Sequence, residues 1–258
     1  MEKQLTEYQQ KVKQKFIDDR GAWKWSAMWD TILELDPAVV ESYATYSSVP
    51  DKRGYLEMRM RKFIYIAIDS ITGSLNTSGL KGHMKHALQL GVSTREILEV
   101  LEITSMIGST TYELGVPELM DALQQRGISV AAAELNEHQK ALKADYIQKH
   151  GGYWTNEKEN ILRLDPEYFE SFTAFEETPW KSGVLTPKEK ELVYIAVHAA
   201  PVSLNKKALR YHIDCALDSG ATANEIVEVF ELVSTLGIHS ITIGVPILKE
   251  ALTELELC

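Results

Sequence analysis

The 258-residue chain is 45% apolar and 25% charged, ordinary for a globular protein, with a formal net charge of −10. That acidity excludes a protein that tracks nucleic-acid phosphates, which needs a basic face. No unbroken apolar run of roughly eighteen residues marks a membrane span, and two cysteines, Cys215 and Cys258, cannot build a disulfide framework or a zinc knuckle. The chain therefore reads as cytoplasmic and reduced.

Met1–Asp19 is predicted as an amphipathic surface helix, and its mix of Glu, Lys and Gln lacks the apolar segment of a secretory signal. Asp36-Pro37 sets an N-cap acceptor before a proline at the first helical position. Phe63–Ser70 is apolar almost all round, which predicts a buried helix. Leu80, His83, Met84, Ala87 and Leu88 then recur at helical spacing, and Gly91 stands where a left-handed cap ends the helix. Ser93-Thr94-Arg95-Glu96 is a capping box opening a further helix, with Ile97, Leu98 and Leu101 as its apolar side. Glu96, Glu99 and Glu102 read as its solvated face, as do Glu225, Glu228 and Glu231 further along the chain, and Gly115-Val116-Pro117 reads as a loop into a helix.

The chain then begins again. Shifted by 129 residues it lands on itself without a gap: Trp25 on Trp154, Asp36-Pro37 on Asp165-Pro166, Tyr65-Ile66-Ala67 on Tyr194-Ile195-Ala196. His83 falls on His212, Gly91 on Gly220, and Gly115-Val116-Pro117 on Gly244-Val245-Pro246. Roughly a third of the positions from Arg20 to Leu119 match their counterparts, and a fixed period of this kind marks two copies of one unit. Val130–Gln148 is predicted as the connecting helix, Ala- and Glu-rich rather than flexible. The second copy repeats the buried helix at Leu192–Ala200 and the amphipathic one at Leu209, His212, Ile213, Ala216 and Leu217. Its Thr186-Pro187-Lys188-Glu189 forms a capping box that the first copy lacks at Glu57-Met58, and Thr222–Glu225 forms another. No stretch alternates with period two. The expected architecture is all-α, as two tandem helical repeats, 1–129 and 130–258.

His83 and His212 sit mid-face on their helices, seven residues after Asn76 and Asn205. An imidazole there is a candidate proton carrier, since its unperturbed pKa of about 6.5 needs little tuning. Other histidines differ between copies: His198 stands opposite Asp69, His239 opposite Thr110, and His86 opposite Cys215. The second copy thus gathers His198, His212 and His239, whose spacing matches no compact metal-ligand pattern, so no metal is expected. Cys215 lies beside an apolar helical face with no second cysteine near, the setting of an inert thiol. Lys81, Lys206, Lys207 and Arg210 lie close to the Asn/His segments and are candidate carboxylate partners.

The pattern Asn-x6-His-x3-Ala-Leu-x2-Gly-x4-Glu-Ile-x-Glu-Val occurs at Asn76–Val100 and again at Asn205–Val229. It resembles the carboxymuconolactone decarboxylase and alkylhydroperoxidase-D-like family, here as a tandem fusion with motif cores at about 57–120 and 186–250. The resemblance implies an all-helical fold and assembly into rings, for this chain a homotrimer that forms a pseudo-hexamer of repeats. The redox branch of that family carries Cys-x-x-Cys ahead of the histidine. Here Asn76 and Gly79, or Asn205 and Ala208, stand at those places, so the nucleophile of a thiol peroxidase is absent. The family's glutamate is matched by Glu191, where the first copy has Lys62.

What the resemblance implies is a cofactor-independent lyase or isomerase acting on a small organic acid or lactone by proton transfer. His212 would be its acid/base, Glu191 its partner, and Asn205, Asn76 and Arg210 the substrate anchors, although helical spacing sets Arg210 off the His212 face. The asymmetric residues Glu191, His198 and His239 point to the second copy as the working half. The alternatives are a non-catalytic binding or scaffold protein with decayed sites and, disfavoured by the missing cysteines, a peroxidase. Neither nucleic acid nor membrane is an expected partner.

Overall fold

A computed structural model describes residues 4–128, 134–150 and 154–257. The first half runs α1 (Glu7–Arg20), a 3-10 turn (Ala22–Lys24), α2 (Ala27–Leu35), α3 (Pro37–Ser47), α4 (Val49–Arg53), α5 (Met58–Ser70), α6 (Thr77–Gln89), α7 (Thr94–Ser105) and, past a 3-10 turn, α8 (Ser109–Gln125). The second half runs α9 (Glu137–Lys149), α10 (Asn156–Leu164), α11 (Pro166–Glu176), α12 (Thr178–Ser182), α13 (Pro187–Ala199), α14 (Lys206–Asp218), α15 (Ala223–Ser234) and, past a 3-10 turn, α16 (His239–Glu254). The fold is all-α, with no strand among the described residues. Residues 1–3 and 130–133 of the two expected surface helices lie outside the described residues.

The ends of the helices follow from their capping residues. Asp36 and Asp165 accept backbone N–H groups at the starts of α3 and α11. Capping boxes open α7, α13 and α15, whereas α5 begins after Glu57 without a side-chain cap. Gly91 and Gly220 take φ of 86° and 85°, a left-handed conformation that L side chains adopt only with strain.

At the centre α5 and α13 pack on each other, with every residue from 60 to 69 and from 190 to 198 buried. Ile64, Ile66, Val193 and Ile195 are fully enclosed, each contributing about 1.5–3 kcal/mol of apolar burial. One core cluster draws on α5 to α7 and on α13 to α15, so the two halves share it. The last helix of each half crosses over: α8 packs on α10, and α16 on α2. Gly115-Val116-Pro117 and Gly244-Val245-Pro246 lie inside these helices rather than in loops. Each proline loses one backbone hydrogen bond, and packing against the opposite half overrides that local breaker signal.

The acidic run of α7 and α15 is also not a solvated face. Glu228 is fully buried; its Oε1 lies 2.6 Å from Arg61 Nε, and its Oε2 accepts from the N–H groups of Tyr55 and Leu56. Glu99, equally buried, pairs with Lys190 Nζ at 2.9 Å and accepts from Leu185 N–H. Both pairs join one half to the other, and excluding water from them strengthens the coupling. The helical stretch Ala223–Glu254 is long and apolar enough by composition to cross a membrane. Its α15 part, however, packs in the shared core and carries the paired Glu228.

Candidate functional site

Glu191, Tyr194 and His198 fall at i, i+3 and i+7 on α13, which sets them on one face towards His212 of α14. His212 Nδ1 lies 2.7 Å from Glu191 Oε2. The His212 ring stacks on Tyr194 at 4.3 Å and on His198 at 5.2 Å. These groups line a cavity of about 110 Å³ together with Glu113 of α8, Trp180 and Tyr211. Burial raises the Glu191 carboxyl far above the usual carboxylate range and lowers His212. The pair therefore holds one proton between oxygen and nitrogen and carries no net charge near neutrality. His198 is pushed down to about 3 by burial and by His212, so it is a neutral ring.

The corresponding place in the first half has other chemistry. Lys62 stands where Glu191 does, and Asp69 where His198 does. His83 stacks on Tyr65 at 4.4 Å, with Nε2 3.9 Å from Asp69 Oδ2. His239 does not join His198 and His212, because α16 crosses to the first half. Its Nε2 lies 2.9 Å from Asn76 Nδ2 and 3.3 Å from Asp69 Oδ1. That nitrogen accepts from the amide when it carries no hydrogen and donates to the carboxylate when it carries one. Gly79 is required here, since a Cβ would stand 2.6 Å from both Asn76 Nδ2 and Asp69 Oδ2.

Asn76 and Asn205 have a structural task in common. Each caps its helix, accepting from Gly79 N–H or Ala208 N–H, and turns its amide to the crossing helix of the other half. Asn76 meets His239 there, and Asn205 donates to Glu113 Oε2 at 2.8 Å. Arg210 is exposed and donates to Asp214 at 2.9 Å, one helical turn away on the solvent side, so it does not reach the cavity. Lys207, by contrast, lines the cavity together with its ion-pair partner Glu157. Among the described residues, no group of three or more His, Cys, Asp or Glu is arranged to hold a metal ion. Burial pushes the Cys215 thiol up, away from the reactive thiolate.

Sequence reasoning left out Tyr65 and Tyr194, which sandwich the histidines, and Glu113, which arrives from the other half. The tyrosines carried a signal, being kept in both halves 18 residues before the histidine. Glu113 carried none, because its place depends on the crossing of α8.

Comparison with known proteins places this geometry. The profile of the Carboxymuconolactone decarboxylase family matches residues 166–253. A solved structure from Burkholderia xenovorans LB400, provisionally described as a gamma-carboxymuconolactone decarboxylase subunit, is similar at 37% identity with a TM-score of 0.87. The similarity covers 95% of this chain and 98% of that one. No curated protein matches the chain.

Proposed function

The chain belongs to the carboxymuconolactone decarboxylase family, and from that premise we propose that it is a cofactor-independent lyase or isomerase acting on a small organic acid or lactone. The observation that carries this reading is the buried Glu191–His212 hydrogen bond of 2.7 Å at the wall of a cavity. With the shared proton on Glu191, Nδ1 of His212 accepts and Nε2 bears the proton that it can yield to substrate. As Nε2 protonates a carbanion or enolate, Nδ1 draws the carboxyl proton from Glu191. The imidazole then stays neutral throughout, in a setting where burial penalises its charged form. Run backwards, the same relay removes a proton from carbon.

His198 and Tyr194 hold the imidazole plane by stacking and are positioning residues. Arg210 has no part in this scheme. Catalysis by a thiol is unsupported, since the Cys215 thiol is held in its protonated form. Assembly into a homo-oligomer, as a trimer, belongs to the same reading. Leu114 of α8 and Ile243, Ile247 and Leu248 of α16 are exposed apolar side chains that such contacts would cover.

The test is turnover of a panel of lactones and 3-oxo acids by the intact protein and by His212→Gln. A loss of about 10²-fold or more, with an unchanged melting temperature, supports proton transfer at His212. Full turnover in a folded His212→Gln variant overturns it.

A further inference from the structure

The first half holds a cavity of about 470 Å³ with cations on one wall, unlike the neutral Glu191–His212 pair. Arg20, at the end of α1, lies over the rings of Phe16 and Tyr43 at 5.2 and 4.6 Å. Its Nε is buried without a hydrogen-bond partner, and among the described residues no carboxylate pairs with it. Lys24, on the following turn, reaches Asp51 only at 3.6 Å, and Asp51 is already held by Arg61 at 3.0 Å. Behind this wall Lys62 is fully buried without a carboxylate partner, its Nζ 4.5 Å from the Trp23 ring. Two cations thus line one side of the cavity and a third lies behind them, with Asp51 shared by Lys24 and Arg61, while the Asp69 carboxylate lines the cavity too and is engaged with His239.

Unpaired charges removed from water are costly unless a counter-charge completes them. Burial, with the neighbouring cations, lowers Lys62 to about 7 and Lys24 to about 8, so an anion bound beside them would favour their charged forms. The remaining wall narrows the identity of that anion. Met28, Trp29 and Ile243 present apolar surface, whereas Asn76, Asp69 and His239 form a hydrogen-bonding group contributed by α5, α6 and α16. Inorganic phosphate has no body to set against apolar walls, and a guanidinium fork matches a planar carboxylate. Trp23 covers the cations: its ring lies 4.5 Å from Lys62 Nζ, 5.2 Å from Lys24 Nζ and 4.3 Å from the His86 ring. Gly21, at φ +90°, permits this fold-back, because a Cβ there would stand 2.9 Å from the indole nitrogen.

We propose that this cavity is a second ligand site, independent of the Glu191–His212 pair, that binds a small aromatic or alkyl carboxylate. The carboxylate sits against Arg20 and Lys24, the apolar body against Met28 and Trp29, and a polar substituent meets Asn76 and His239. The experiment is calorimetric titration of the full chain with benzoate, benzamide and inorganic phosphate, repeated on Lys24→Met, Arg20→Gln and Glu191→Gln. Benzoate is expected to bind once per chain, with benzamide and phosphate about tenfold weaker or worse, the worth of one charge-assisted hydrogen bond. Lys24→Met and Arg20→Gln are each expected to weaken benzoate by a similar factor, and Glu191→Gln to leave it unchanged. Should Arg20→Gln melt early through its lost packing on Phe16 and Tyr43, Lys24→Met carries the test alone. Equal binding of benzamide or phosphate overturns the proposal, as does no saturable benzoate binding, or an affinity that follows Glu191 and not Lys24.

Discussion

The two cavities share a scaffold and differ in what they can do with charge. In each, a helix from the core presents a residue pair seven apart with a tyrosine between them, that tyrosine stacks on a histidine of the next helix, and a helix from the other half closes the side. The second half places Glu191 and His198 there and is left with a neutral, proton-sharing pair in a small space. The first half places Lys62 and Asp69 there, gathers Arg20 and Lys24 beside them, and encloses a larger volume. On the two proposals above, one site moves a proton and the other holds an anion, and the residues that differ between the corresponding positions, Glu191 against Lys62 and His198 against Asp69, mark that difference.

The largest effects that probe this comparison lie in the pairs that hold the halves together. Glu228→Ala removes one buried partner of Arg61, which keeps Asp51 and the Pro50 carbonyl, leaves two backbone N–H groups without their acceptor, and is expected to cost about 3–5 kcal/mol by urea unfolding. Glu99→Ala is expected to cost a similar amount, because it removes the buried partner of Lys190, which likewise keeps a backbone carbonyl, that of Pro179, and takes the acceptor from the Leu185 N–H. A near-zero loss at Glu99 would show that the two buried pairs do not hold the halves together in the same way. Next is pH. Glu191, raised from 4.5 to about 8, binds more proton folded than unfolded. Wild-type stability relative to Glu191→Gln should therefore fall as pH rises from 4.5 to 8, by at most about 1.4 kcal/mol per unit. Lys62, lowered from 10.5 to about 7, binds less proton folded, so stability relative to Lys62→Met should rise with pH between 7 and 10.5. Slopes of equal sign would show that the two cavities do not differ in charge as described. The smallest effect concerns the helix entries. Thr186→Ala should cost about 1 kcal/mol by thermal unfolding through its lost cap, and Glu57→Ala, at an uncapped start, within about 0.5 kcal/mol of nothing.

Helix starts, terminal glycines and the buried stretches around Ile66 and Ile195 were legible because they are local: caps and apolar runs act within a few residues. His212 with Glu191 was legible through the resemblance, and Lys62 through self-comparison, although its meaning was not. What escaped depends on contacts far apart in sequence. Glu228 looked solvated because its partner Arg61 is 167 residues away. His239 looked like a neighbour of His212 because nothing local shows that α16 crosses to α2. Arg210, one helical turn from Asp214, followed its helical phase outward.

The most direct test of the two-cavity account is the ratio of two losses in kcat/KM, measured on a turned-over lactone or organic acid with His212→Gln and His83→Gln at matched melting temperature. The account expects the His212 loss, about 10²-fold or more, to exceed the His83 loss clearly. A loss confined to His83→Gln would place the proton chemistry in the first half and contradict it.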